Sequence, residues 1–145
     1  MISDLLKGRM RLIPHADSWV AAISIAATPL LEDGIITARY IQAILQNVVE
    51  NGSYFVLLPG IAMPHARPEY GSLGQGMSFL KLEEPVSFPD NRAVHVFFVI
   101  ASDSDDGHLD MICSLAEILS DPVAAEELRH VSDPSTLIAL LDSHR

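Results

Sequence analysis

The segment Pro59-Gly60-Ile61-Ala62-Met63-Pro64-His65-Ala66-Arg67-Pro68-Glu69 sets one titratable ring between two prolines, with an arginine two positions further on. Pro64 and Pro68 restrict the backbone on either side of His65, and Gly60 permits a sharp turn before it. An imidazole held in one orientation, with one nitrogen bonded so that the tautomer is fixed, offers the other as nucleophile, base or ligand. His108 has a comparable setting: it follows an apolar run and opens a helical stretch, where unpaired N–H groups and the helix dipole favour an anion. Two such rings, a helix start and Arg67 have the chemistry to hold a phosphoryl group, one ring accepting it while the others neutralise its oxygens. On local pattern alone two readings stay open for each residue. His65 is a working ring or a capped turn histidine, and Arg67 is a phosphate contact or a surface partner of Glu69.

The other histidines have plainer settings. His144 lies in the last two residues, His130 ends a short helix where a cation suits the dipole, His95 sits near the start of a strand, and His15 follows Pro14 at the entry to the first helix. Cys113, the single cysteine, falls mid-helix on an apolar stripe and is expected in the core. It has no disulfide partner, and no Cys/His spacing suggests a structural zinc.

The elements that must position these rings can be read from periodicity. Asp17 and Ser18 are candidate caps for a helix in "ADSWVAAISIAATPLLEDG", with Pro29 and Gly34 marking its exit. Thr37 can cap a second helix whose stripe is Tyr40, Ile41, Ile44, Leu45 and Val48, stopped at Gly52. "SYFVLL" (53–58) reads as a short buried strand cut by Pro59-Gly60, which makes the His65 segment a loop at a strand's carboxyl end. Such ends are where binding crevices form in open sheets. "GMSFLKLEEPV" (76–86) and "AVHVFFVIAS" (93–102) read as two more strands, the second covered on both faces. A helix follows with Leu109, Ile112, Cys113, Ala116 and Leu119 on one face and His108 in its first turn, and two Asp-Pro starts at 121 and 133 open two short closing helices. The order α, α, β, β, β, α, α, α predicts an α/β fold, a mixed sheet with helices on both faces. The apolar helix face over 40–48 serves a core or a dimer contact equally well.

The chain has 145 residues, which fits one domain over 1–145, and 49% hydrophobic against 19% charged residues is too apolar for disorder. Nine basic against nineteen acidic residues give a net charge of −10, which repels nucleic acid and an anionic membrane surface alike. No apolar run reaches membrane-spanning length and the N-terminus lacks a signal-peptide core, so the expected location is the cytoplasm.

"GIAMPHARPE" resembles the active-site segment of IIA components of the bacterial phosphotransferase system, mannitol/fructose class, and "HLDMICSLAEIL" is similar to that class's second histidine motif. "VENGSYFVLLPGIAMPHARPEYG" looks most like the ascorbate-type branch. The resemblance implies the mixed-sheet fold of that class and a phosphoryl relay without metal or organic cofactor. In that relay His65 accepts phosphate from the phosphocarrier protein HPr, as a tele-phosphohistidine candidate, and passes it to a cysteine of a IIB component that serves a IIC permease. It further implies that His108 orients or stabilises the phosphate and that Arg67 is a positive contact. In the mannitol branch an arginine ends the helix before the active loop; here that stretch reads Asn47-Val48-Val49-Glu50, and Arg67 is expected to take over part of its task. Two alternatives stand beside the relay: a regulatory module of the same fold, whose phosphorylation controls a partner protein, and a metal-dependent hydrolase built on His65, His108 and Asp105.

Overall fold

From Val94 to Ala101 every residue except His95 is buried, because the strand they form has helices against both faces. The computed structural model describes residues 2–143, with the backbone alone at Leu57. In chain order the elements are α1 (Ile2–Leu6), β1 (Met10–Ile13), α2 (Trp19–Glu32), α3 (Ala38–Asn51), β2 (Val56–Leu58), β3 (Gly60–Ala62), a 3-10 turn (Pro68–Tyr70), β4 (Gly76–Ser87), β5 (Ala93–Ala101), α4 (Asp105–Leu119), α5 (Pro122–Arg129) and α6 (Pro134–Asp142).

The five strands form one mixed sheet in the order β1-β4-β5-β3-β2. β1 runs parallel to β4 and β3 parallel to β5, while β4–β5 and β2–β3 are antiparallel. Phe97, Val99 and Ala101 of β5 pack with Ile23 and Leu30 of α2 and Tyr40 and Ile44 of α3. Val96, Phe98 and Ile100 face the other way, into a second core with Leu6, Met111, Leu115, Leu128 and Leu137 from α1, α4, α5 and α6. The expected α/β fold with helices on both faces is therefore present, and the α3 stripe of Tyr40, Ile41, Ile44 and Val48 is spent on the first core.

Several local expectations need correction. Pro29 does not end α2: it is buried inside the helix, which runs on to Glu32 because a proline withholds only its own donor while its carbonyl still accepts from Asp33 at 3.1 Å. Ser18, not Asp17, caps α2, accepting from the Ala21 amide at 3.1 Å. Residues 53–55 form a turn rather than strand, and Gly60–Ala62, expected as loop, is a strand held between β5 and β2. The elements α1 and β1 went unread. On α4 the buried residues are Met111, Leu115, Ile118 and Leu119, while Leu109 is 59% exposed and Cys113 is exposed. The inward stripe is headed by His108 itself, at spacings of three, four and four to Met111, Leu115 and Leu119, which turns Cys113 to the outer side. His144 lies outside the described residues.

Candidate active site

The parallel strands β3 and β5 end on the same side of the sheet, and the two histidines follow those ends. His65 comes three residues after β3; His108 lies in the first turn of α4, after the short link from β5. Ser104 caps α4 by accepting from the Gly107 amide at 3.1 Å. Gly107 allows close approach there, since a Cβ would meet the Gln75 amide nitrogen at 2.5 Å and the Ser102 hydroxyl at 2.7 Å. The imidazole centroids of His65 and His108 are 4.8 Å apart, with the rings near perpendicular at 78°.

His65 is gripped through side chain and backbone. Its Nδ1 lies 2.6 Å from the Met63 carbonyl, which can only accept, so Nδ1 carries the proton and Nε2 keeps its lone pair. The Tyr54 hydroxyl donates to the His65 carbonyl at 2.8 Å, and the Tyr54 ring meets the imidazole edge-on at 5.7 Å between centroids. The next amide, Ala66 N–H, donates to the Tyr40 hydroxyl at 3.1 Å, and that hydroxyl donates to the Ile100 carbonyl at 2.7 Å. Ile100 N–H in turn donates to the Pro64 carbonyl at 3.1 Å, so the loop is stitched to the end of β5. Tyr54 stands on the turn after α3, which is pinned by Asp90: its carboxylate accepts from the Ser53 hydroxyl at 2.7 Å and the Ser53 amide at 3.1 Å.

Both rings are biased towards the neutral form. Burial lowers the pKa of His65 from its ordinary value, against the opposing pull of the Met63 carbonyl. Burial also lowers that of His108, helped by the neighbouring His65 and opposed by Asp105. His108 Nε2 is buried and has no hydrogen-bond partner among the described residues.

An open cavity of about 450 Å³ lies over the pair, lined by Asn47, Asn51, Tyr54, His65, Ala66, Arg67 and His108. The three residues singled out in the sequence, His65, His108 and Arg67, therefore meet in one place. Arg67 reaches it only at the rim: its side chain is 78% exposed and stands 3.8 Å from Glu69. Sequence reasoning missed Tyr40, Tyr54, Asn47 and Asn51, of which Tyr40 read as one more core residue. The other histidines lie elsewhere, His130 paired with Glu126 at 2.9 Å and His95 beside Arg129 and Lys81. Among the described residues no group of three or more His, Cys, Asp or Glu side chains is arranged to hold a metal ion, so Asp105 does not complete a ligand set with the two rings.

A half-buried ring with one nitrogen unbonded, a second ring beside it and a helix start have the chemistry to hold an anion. The family model for "Phosphoenolpyruvate-dependent sugar phosphotransferase system, EIIA 2" matches residues 5–144. The chain belongs to this EIIA family. As an EIIA component it is a phosphotransferase, transferring phosphate within the sugar phosphotransferase relay. Among curated EIIA relatives, a mannitol-specific cryptic phosphotransferase enzyme IIA component of Escherichia coli K12 is 37% identical over 131 residues, covering 90% of this chain and 89% of the relative. An ascorbate-specific EIIA component of the same strain is 32% identical over 136 residues, covering 92% and 88%. Among solved EIIA structures, a mannitol-specific cryptic enzyme IIA from Escherichia coli superposes with a TM-score of 0.92 at 35% identity, covering 98% of each chain. A IIA in complex with phosphorylated IIB of the Escherichia coli mannitol system superposes at 0.79 with 26% identity over 93% of this chain and 94% of that one. No helix among the described residues of this EIIA is long and apolar enough to cross a membrane.

Proposed function

We propose that this chain is a cytoplasmic phosphoryl carrier over 1–145, taking phosphate from HPr onto His65 and handing it to the cysteine of a IIB component that serves a IIC permease. The observation that carries the reading is the 2.6 Å bond between His65 Nδ1 and the Met63 carbonyl, 4.8 Å between centroids from a second ring. With the proton held on Nδ1, the Nε2 lone pair attacks the donor's phosphorus. The bond from phosphorus to the donor breaks, the donor keeps that electron pair, and His65 becomes a tele-phosphohistidine whose Nδ1–H still faces Met63. Discharge runs the same way: a thiolate attacks phosphorus, an S–P bond replaces the N–P bond, and the ring returns to neutral. His108 Nε2, unpartnered before transfer, orients the phosphoryl oxygens, and Arg67 swings from Glu69 to add charge at the rim. No metal or cofactor is needed.

The loop sequence supports an ascorbate-type permease as the destination, while the higher identity belongs to mannitol-specific relatives, so IIB components of both kinds are the acceptors to compare. The chain is incubated with phosphoenolpyruvate, enzyme I and HPr, then with each phosphate-free IIB. The expected result is one acid-labile phosphate on His65, none on His65→Ala, a slower reaction for His108→Ala, and discharge onto a IIB cysteine. Label on the folded His65→Ala chain overturns the site. A loaded chain that discharges onto neither IIB overturns the transport role in favour of a regulatory one.

A further inference from the structure

The cavity over His65 suits an anion, yet its well-held donors carry no charge. Arg67 is the lone cation of its lining, and it lies 78% exposed beside Glu69. The opposite wall is α3 and the turn after it, where Asn47, Asn51 and Tyr54 face the cavity.

Two hydrogen bonds determine how that wall is oriented. The Tyr54 hydroxyl has one proton, and it goes to the His65 carbonyl at 2.8 Å. Its other neighbour, the Asn47 carboxamide at 3.4 Å, must therefore donate through Nδ2, because two acceptors cannot share one proton. The amide flip of Asn47 is thus set, and its second N–H is not used in this bond. A planar carboxamide oriented in this way, on a helix and lining the same cavity as the His65 ring, has a second N–H to offer to an oxygen held on that ring.

Resting on the carrier reading above, we propose that Asn47 donates an uncharged hydrogen bond to the phosphoryl group on His65, and that Tyr54 is the positioning residue that holds both Asn47 and the His65 main chain. An uncharged donor stabilises a dianion less than a fixed guanidinium does, so the phosphoryl group is held without being trapped. That suits a relay, whose intermediate must leave as readily as it arrives.

The test compares wild type with Asn47→Ala, Asn47→Gln, Tyr54→Phe and the Asn47→Ala/Tyr54→Phe double variant, using phosphorylated HPr as donor and the ³¹P resonance of the loaded chain as a second readout. Tyr54→Phe keeps the ring that packs on Phe55 and His65, so the fold is retained. Asn47→Ala and Tyr54→Phe are each expected to lower kcat about tenfold with KM for HPr unchanged, the loss of one hydrogen bond made in the transition state. Asn47→Gln recovers part of the loss. Tyr54→Phe costs less in the Asn47→Ala background than alone, because it acts partly through Asn47. The phosphohistidine resonance moves in Asn47→Ala, which a purely structural role would not produce. Wild-type kcat and an unmoved resonance in both single variants, with His65→Ala unlabelled, overturn this proposal and leave the carrier reading standing. A wild-type chain that takes no label fails the carrier reading first, and the proposal with it.

Discussion

Tyr40 spends its one hydroxyl proton on the Ile100 carbonyl and accepts the Ala66 amide, so one buried side chain joins the active loop to the central strand. Burial pushes its pKa up to about 12, and it stays a neutral donor at any working pH. Tyr40→Phe keeps the ring but leaves the Ala66 amide and the Ile100 carbonyl without this partner. It should lower unfolding stability by ~1–3 kcal/mol in urea titration, with a slower phosphorylation of His65; an unchanged midpoint would show that water replaces the hydroxyl. His65 was legible because its signals are local: two prolines, a glycine and an arginine within a few residues. The pairing of Arg67 with Glu69 was legible, since the two are two positions apart. Tyr40 was not, because the carbonyl it serves is 60 positions distant and its place on the α3 stripe explains it fully as core. Tyr54 and Asn47 were missed for a related reason: what they do depends on a loop that folds back onto them.

The short elements show what local pattern cannot carry. β3 has three residues and forms only because β5 and β2 supply partners on its two sides, so tertiary pairing overrides the turn signal of Pro59-Gly60. Gly60 opens this strand at φ +82°, where a Cβ would stand 2.7 Å from His95 Cε1. Gly60→Ala should therefore cost ~1–3 kcal/mol from backbone strain alone, with displacement of His95 in addition. Hydrogen exchange at the Ile61 amide is the local check, and protection equal to wild type would refute the strain. The longer elements were readable because their patterns exceed a turn or two: α2, α3, α4, β4 and β5 lie close to where periodicity puts them. The face of α4 was not, since the apolar run Leu109, Ile112, Cys113 and Ala116 overlaps Met111, Leu115, Ile118 and Leu119, and only packing against the second core chooses between them.

Across the molecule, three rings whose folded surroundings disfavour the charged form tie stability to pH. Burial is the leading cause that lowers the pKa of His65, His95 and His108 below the ordinary 6.5. The unfolded chain binds those protons first, so their contribution is complete above 6.5 and falls away as pH drops through the lower folded values. The hydrogen-bonded carboxylates Asp90, Glu126 and Asp133 are shifted down from 3.8, 4.5 and 3.8, and their loss comes only at more acid pH. Urea midpoints measured from pH 7.5 to 5 should decline, and a flat profile would mean that the rings take up protons without penalty. The mixed sheet with helices on both faces was legible as a class because strand and helix runs alternate in a simple order. The strand order was not, since nothing local says which edges meet.

The outward-facing Cys113 has a practical consequence. As the chain's lone thiol, exposed on the helix that carries His108, it accepts a maleimide dye or nitroxide at a single defined position. Helical geometry puts that probe about 7.5 Å along the axis and about 140° around it from His108. A spectroscopic reporter can thus be mounted on the helix of His108 yet off its inward stripe, and binding of the proposed partners followed without replacing any residue.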